Sequence, residues 1–125
     1  EIDDELEDLA QKYFVKAGLQ KKIVQVIGSA LEIIPSLNET FDLVFLDADK
    51  REYVAYYNLV FGIVRTGGYI IADNTLWSGK VLHPPAPGDE QTRGITAFNE
   101  AIKNDSRVEK VILPLRDGMT IIRKK

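Results

Sequence analysis

Two apolar runs, each ending in an aspartate, constrain this chain more than any other feature. Phe41-Asp42-Leu43-Val44-Phe45-Leu46 stops at Asp47, and Tyr69-Ile70-Ile71-Ala72 stops at Asp73. A nearly continuous apolar run of this length reads as a strand covered on both faces, the habit of a parallel sheet. Residues 53–64 between the runs have helical spacing, and Gly67-Gly68 stops them. Strand, helix and strand in succession point to an α/β sandwich.

The rest of the chain fits that frame. Ile2, Leu6, Leu9, Ala10, Tyr13, Phe14 and Ala17 recur at helical spacing, so residues 3–17 read as an amphipathic helix. Asp3 and Asp4 suit its positive N-terminal end and Gly18 suits its stop. Residues 23–27 form a short β-branched strand that Gly28 breaks, and residues 30–37 a short helix. Residues 74–92 read as a long loop holding three of the five prolines. Loops of that length in compact domains are usually functional or disordered. A helix at 94–103 follows. Residues 108–115 and 119–123 then flank Arg116-Asp117-Gly118, a hairpin signal. The predicted order is α-β-α-β-α-β-loop-α-β-β, with a mostly parallel sheet and one antiparallel strand at or near an edge.

Composition removes several classes of function. The chain has 125 residues, 45% of them apolar, which suits one globular domain. With no cysteine there is neither a disulfide framework nor a thiolate metal site, so a metal must rest on oxygen or on His83, the single histidine. His83 lies among prolines and is read as a surface residue. The net charge of −3 argues against a phosphate backbone as partner. No apolar stretch approaches the roughly 20 residues of a membrane span, and the N-terminus lacks the pattern of a signal peptide. A cytoplasmic domain is expected.

Ligands in open α/β sheets bind beyond the carboxyl ends of the strands. Asp47, Asp49 and Lys50 follow one strand here, and Asp73 and Asn74 the next. If those strands are neighbours, Asp47, Asp73 and Asn74 converge as hard oxygen donors suited to Mg²⁺ or Ca²⁺. Single residues of this kind usually cap helices or start turns; three at two strand ends favour a metal site. Lys50 is placed to act as a general base beside a cation, or is a solvated surface lysine. Gly28-Ser29-Ala30 would let a flat ligand such as adenine approach the backbone, or is an ordinary strand-to-helix turn. Glu1 could hold ribose hydroxyls, as an acid does in dinucleotide folds. Trp77, beside Ser78-Gly79, could wall a site for a planar substrate or pin the loop to the core. Tyr53, Tyr56 and Tyr57 are read mainly as packing.

Taken together, these segments resemble the cation-dependent O-methyltransferases of the catechol and caffeoyl-CoA type. The segments that carry the resemblance are Phe45-Leu46-Asp47-Ala48-Asp49-Lys50, Gly67-Gly68 through Asp73-Asn74-Thr75-Leu76-Trp77, Thr92 through Phe98-Asn99, and Asp117-Gly118-Met119-Thr120. It implies a Rossmann-like fold that uses S-adenosylmethionine (SAM), a divalent cation and a catechol-like small molecule. By position, Asp47, Asp73 and Asn74 match the family's metal ligands. Lys50 matches the catalytic base, with Asp47 beside it in the catalytic pair. Glu1 matches the acid on the cofactor ribose, and Ser29 and Ala30 the adenine-side turn, where the family often has Asp in place of Ser29. Asp47 and Asp49 match positions beside the cofactor, and Trp77 and Ser78 the substrate-side loop. The family's first strand, its glycine-rich loop and its N-terminal helices have no counterpart in residues 1–125, so the expectation is one partial methyltransferase domain. A homodimer is expected. Small catechols, caffeoyl thioesters and a modified tRNA base all stay open as acceptors.

Other readings compete with this one. A receiver domain phosphorylated on Asp47 would explain Asp3-Asp4-Glu5 and the run ending at Asp47, but no apolar strand precedes Asp3 and no Lys-Pro follows a later strand. Asp47-Ala48-Asp49 alone resembles the metal motif of a sugar-nucleotide transferase. A non-catalytic methyltransferase fragment is the last alternative.

Overall fold

The structure, a computed structural model, describes every residue from Glu1 to Lys125. The chain forms two compact units, Glu1–Leu37 and Asn38–Lys125.

In the first unit, Asp3 accepts from the Glu5 amide at 3.0 Å and starts a 3₁₀ turn, Asp4–Leu6, that leads into helix α1, Glu7–Lys16. Acidic Glu7 and Asp8 complement the positive end of α1. The helix closes in a Schellman motif: Leu19 N donates to Phe14 O and Gly18 N to Val15 O, with Gly18 at φ +68°. Helix α2, Ala30–Ile33, runs into a 3₁₀ turn, Ile34–Ser36, which contains Pro35. The strand expected at 23–27 does not form. A strand needs a ladder, and this segment has only Glu1 alongside, which donates to Val26 O at 3.1 Å and accepts from Gly28 N at 2.9 Å.

The second unit holds a four-stranded sheet of β1 (Phe41–Leu46), β2 (Val64–Asp73), β3 (Val108–Leu113) and β4 (Met119–Lys124). Its order is β1-β2-β4-β3. β1 and β2 are parallel, while β4 runs antiparallel to both β2 and β3. The antiparallel strand therefore lies inside the sheet, one place from the edge. Helices α3 (Tyr53–Ile63) and α4 (Glu90–Asn104) meet through Phe98, whose ring packs edge-on against Tyr53 and Tyr57 at 5.3 and 6.1 Å between centroids. Along the sheet, Leu46, Ala72 and Thr120 are aligned and buried, as are Ile70 and Ile122.

Three expectations change here. The run 41–46 is covered on one face only: Leu43 and Phe45 are about half exposed, at 50% and 53%. Gly67-Gly68 lie inside β2 rather than before it, because β2 starts at Val64 directly after α3. Between the pairs Phe41↔Val64 and Leu43↔Tyr69 the register slips, and Gly67 turns at φ +78° to absorb the extra residues. α4 begins at Glu90, not 94, because Asp89 caps it by accepting from the Thr92 amide at 3.0 Å and the Thr92 hydroxyl at 2.8 Å. That leaves less loop than expected in 74–92, which also contains a kinked 3₁₀ segment, Trp77–Leu82.

Candidate active site

Parallel pairing brings the two strand ends together. Leu46 of β1 is in register with Ala72 of β2, so Asp47 and Asp73 leave adjacent strands side by side. This adjacency is what the sequence reading required. Asp73 Oδ1 accepts from the Asn74 amide at 2.7 Å, and Asn74 stands at φ +58°.

Lys50 lies just past β1 and is buried, 4% exposed. Its Nζ donates to Asp47 Oδ1 at 3.0 Å and to the Tyr53 hydroxyl. A lysine this deep needs such partners, because burying an unpaired ammonium is costly. It is not a solvated surface lysine. Its backbone is held as well: Lys50 N donates to Gln91 Oε1 of α4 at 3.0 Å, and Gly94 of α4 lies so close that a Cβ there would overlap the Lys50 carbonyl. The Tyr53 hydroxyl is also 3.2 Å from Leu46 O and 3.1 Å from Asp73 O. Burial, and then the charge of Asp47, raise the Tyr53 hydroxyl above the usual tyrosine range, so it keeps its proton.

The segment after Asn74 is braced from beneath. Buried Thr75 accepts from the Thr120 hydroxyl at 2.9 Å, and its carbonyl accepts from Asn99 Nδ2 at 2.7 Å. The turn between β3 and β4 supplies the rest: Thr75 N donates to Gly118 O, Leu76 N to Asp117 O, and Ser78 N to the Asp117 carboxylate. Trp77 and Ser78 have φ of +48° and +52°, unusual for residues with a Cβ. The Trp77 ring centroid lies 6.0 Å from Lys50 Nζ, while its Nε1 is buried without a partner. Asp49 is engaged locally. It caps the turn Lys50–Glu52, and the Arg51 guanidinium paired with it holds its carboxyl down to about 2.

In the first unit, Glu1 flanks the 26–28 segment that leads to Ser29, while its Oε1 accepts from Ile2 N at 2.8 Å and Asp3 N at 3.0 Å. Those amides, Asp3 first, lower its carboxyl below the ordinary value. Ser29 sits at the cap position of α2 without a side-chain bond, and Ala30 opens the helix.

Sequence reasoning brought Asp47, Asp73, Lys50 and Trp77 to one place but missed four of their supports. From sequence, Tyr53 is explained by packing alone, and Gln91, Gly94 and Asn99 carry no role. Gly94, a glycine inside a good helical pattern, was the one available signal of a close approach. No group of three or more His, Cys, Asp or Glu side chains is arranged to hold a metal ion. The candidate cation set is two carboxylates and one amide. It fits a hard cation in donor chemistry, since Asp47 and Asp73 each keep one carboxylate oxygen free of hydrogen bonds from the protein.

Comparison with known proteins gives a consistent result. The chain is 38% identical over 129 residues to "Probable caffeoyl-CoA O-methyltransferase 2" of Dictyostelium discoideum, covering 99% of this chain and 56% of that protein. The O-methyltransferase TomG from Streptomyces achromogenes, solved in complex with SAM, superposes with a TM-score of 0.92 at 26% identity, over 99% of this chain and 59% of its own. The O-methyltransferase from Bacillus cereus, solved with SAH, gives 0.91 at 28% identity, over 100% and 60%. The chain thus spans little more than half the length of the relatives it matches. The receiver-domain reading falls, since receiver sheets are all parallel in the flavodoxin-like order and β4 here is antiparallel and internal. The O-methyltransferase family matches the sequence over residues 1–125, so the chain belongs to that family.

Proposed function

We propose that the protein moves a methyl group from SAM to one hydroxyl of a catechol-like small molecule, with a divalent cation held by Asp47, Asp73 and Asn74. The observation that carries this reading is the buried Lys50 ammonium paired to Asp47 beside Asp73, at the ends of two adjacent parallel strands. The caffeoyl-CoA name of the Dictyostelium relative and the SAM bound to TomG support the substrate class and the cofactor.

When bound, the cation would supply Lewis acidity that favours the ionised form of a substrate hydroxyl, and SAM would supply the methyl group. The chain's own residues do the rest. Lys50 has three N–H donors, of which Asp47 and Tyr53 take two. The third is left for the substrate oxygen, where Lys50 screens the developing charge or, once deprotonated, takes the hydroxyl proton. Asp47 orients Lys50 as well as serving the cation. Trp77 and Ser78 wall the planar ring from the loop side. By the resemblance, Glu1 would hold the cofactor ribose and Ser29 and Ala30 the adenine, and Asp47 and Asp49 match positions that the resemblance assigns beside the cofactor. Most of the acceleration in this scheme is orientation.

The test is methyl transfer from SAM to catechol by the intact protein. Asp73→Ala should lower kcat/KM by about a hundredfold or more, the scale seen when a metal site loses its support, and excess chelator should abolish turnover. Full activity in that variant, or in chelator, would overturn the reading.

A further inference from the structure

Tyr53 opens α3 and is fully buried, with its ring edge-on to Phe98. A phenylalanine ring would serve that packing equally well, so the hydroxyl needs a separate account. A buried hydroxyl costs free energy unless it is bonded, and this one meets three groups at once. It lies 3.2 Å from the carbonyl of Leu46, the last residue of β1, and 3.1 Å from the carbonyl of Asp73, the last residue of β2. It also accepts from Lys50 Nζ. A tyrosine O–H shares one proton between the carbonyls while its lone pair takes an ammonium N–H. Both strand ends and the lysine therefore meet on one oxygen atom.

We propose that Tyr53 is a positioning residue, whose hydroxyl sets where the Lys50 ammonium stands relative to the ends of β1 and β2. It touches no substrate and acts through Lys50. Without the hydroxyl, the ammonium's one remaining hydrogen-bond partner is Asp47, whose side chain is 53% exposed and so gives a looser anchor. The inference rests on the reading of Lys50, Asp47 and Asp73 as the reacting apparatus.

Tyr53→Phe in the intact protein tests it, with Tyr57→Phe as the matched control. Tyr57 is also buried, but its hydroxyl donates to Asp105 at 2.9 Å, away from Lys50. The first readout needs neither metal nor cofactor. Limiting acetic anhydride followed by peptide mass spectrometry gives the acylation rate of Lys50, referred to exposed Lys103 in the same sample. Lys50 should react several-fold faster in Tyr53→Phe than in wild type or Tyr57→Phe. With SAM, catechol and Mg²⁺, kcat should fall about tenfold or more, the cost of a misplaced reacting group, while the KM for SAM stays at its wild-type value. Unchanged Lys50 acylation in Tyr53→Phe overturns the proposal, and so does an unchanged kcat. If the wild-type protein does not methylate catechol, the proposed function fails instead, and the acylation rates alone decide whether Tyr53 holds Lys50.

Discussion

Gly94 lies inside α4, where glycine costs up to about 1 kcal/mol relative to alanine. Propensity alone would make Gly94→Ala stabilising. The structure predicts the opposite, because the new Cβ would overlap the Lys50 carbonyl and the Arg51 Cα, and neither is a side-chain tip that can swing aside. Overpacking of this kind costs about 1–3 kcal/mol, and relief would come by moving the backbone of Lys50. Gly94→Ala should therefore lower the denaturant midpoint and, under the proposed function, also reduce methyl transfer. A midpoint that rises would mean α4 does not press on Lys50. Single residues were unevenly legible in the sequence for a physical reason. Asp47 and Asp73 announce themselves because a polar residue ending an apolar strand is conspicuous. Tyr53 does not, because a tyrosine in an apolar helix looks the same whether its hydroxyl is idle or bonded to a lysine.

The turn after β3 is the element that most shapes the candidate site, although it lies far from Asp73 in sequence. Arg116-Asp117-Gly118 signalled a hairpin, and β3 and β4 do form one. The sequence held no sign that the same turn clamps residues 75–78. A hydrogen bond across 39 residues of chain, from Ser78 N to the Asp117 carboxylate, follows from sheet order, not from local pattern. Gly118 is required there, with φ of +83° and Leu76 so close that a Cβ on Gly118 would overlap it. The main-chain bonds to Thr75 and Leu76 survive any side-chain change, so Asp117→Ala isolates the bond from Ser78 N. That variant should lose about 1 kcal/mol or less of stability, while the Ser78 amide exchanges with solvent markedly faster than in wild type. The check is amide exchange followed by NMR; a Ser78 amide as protected as before would remove Asp117 from the support of the Trp77–Ser78 corner. The segment 23–27 shows the converse limit. Its β-branched composition points to a strand, and none forms, because strand formation depends on a neighbour that local sequence does not supply.

At the scale of the whole molecule, the α/β class and the order of elements from residue 41 onward were legible because hydrophobic period changes between helices and strands. What covers each face of the sheet was not, since an apolar run looks the same whether or not both sides are packed. In the structure, Leu43, Phe45, Tyr69 and Val111 are 41–53% exposed. Phe45 is aligned through Ile71 and Ile121 with Val111, so one row of this face crosses all four strands. A contiguous exposed apolar surface is a point of association for other apolar molecules. The 125-residue chain should therefore bind the fluorescent probe ANS at neutral pH while its melting transition stays cooperative, which separates a native apolar face from a molten state. Phe45→Ser with Val111→Thr should remove most of that fluorescence. Both side chains are already half in water, so the stability lost should be well below the 3–5 kcal/mol of a buried phenylalanine truncation. ANS binding that persists in the double variant would place the apolar surface elsewhere, and a large fall in melting temperature would show that this face is packed.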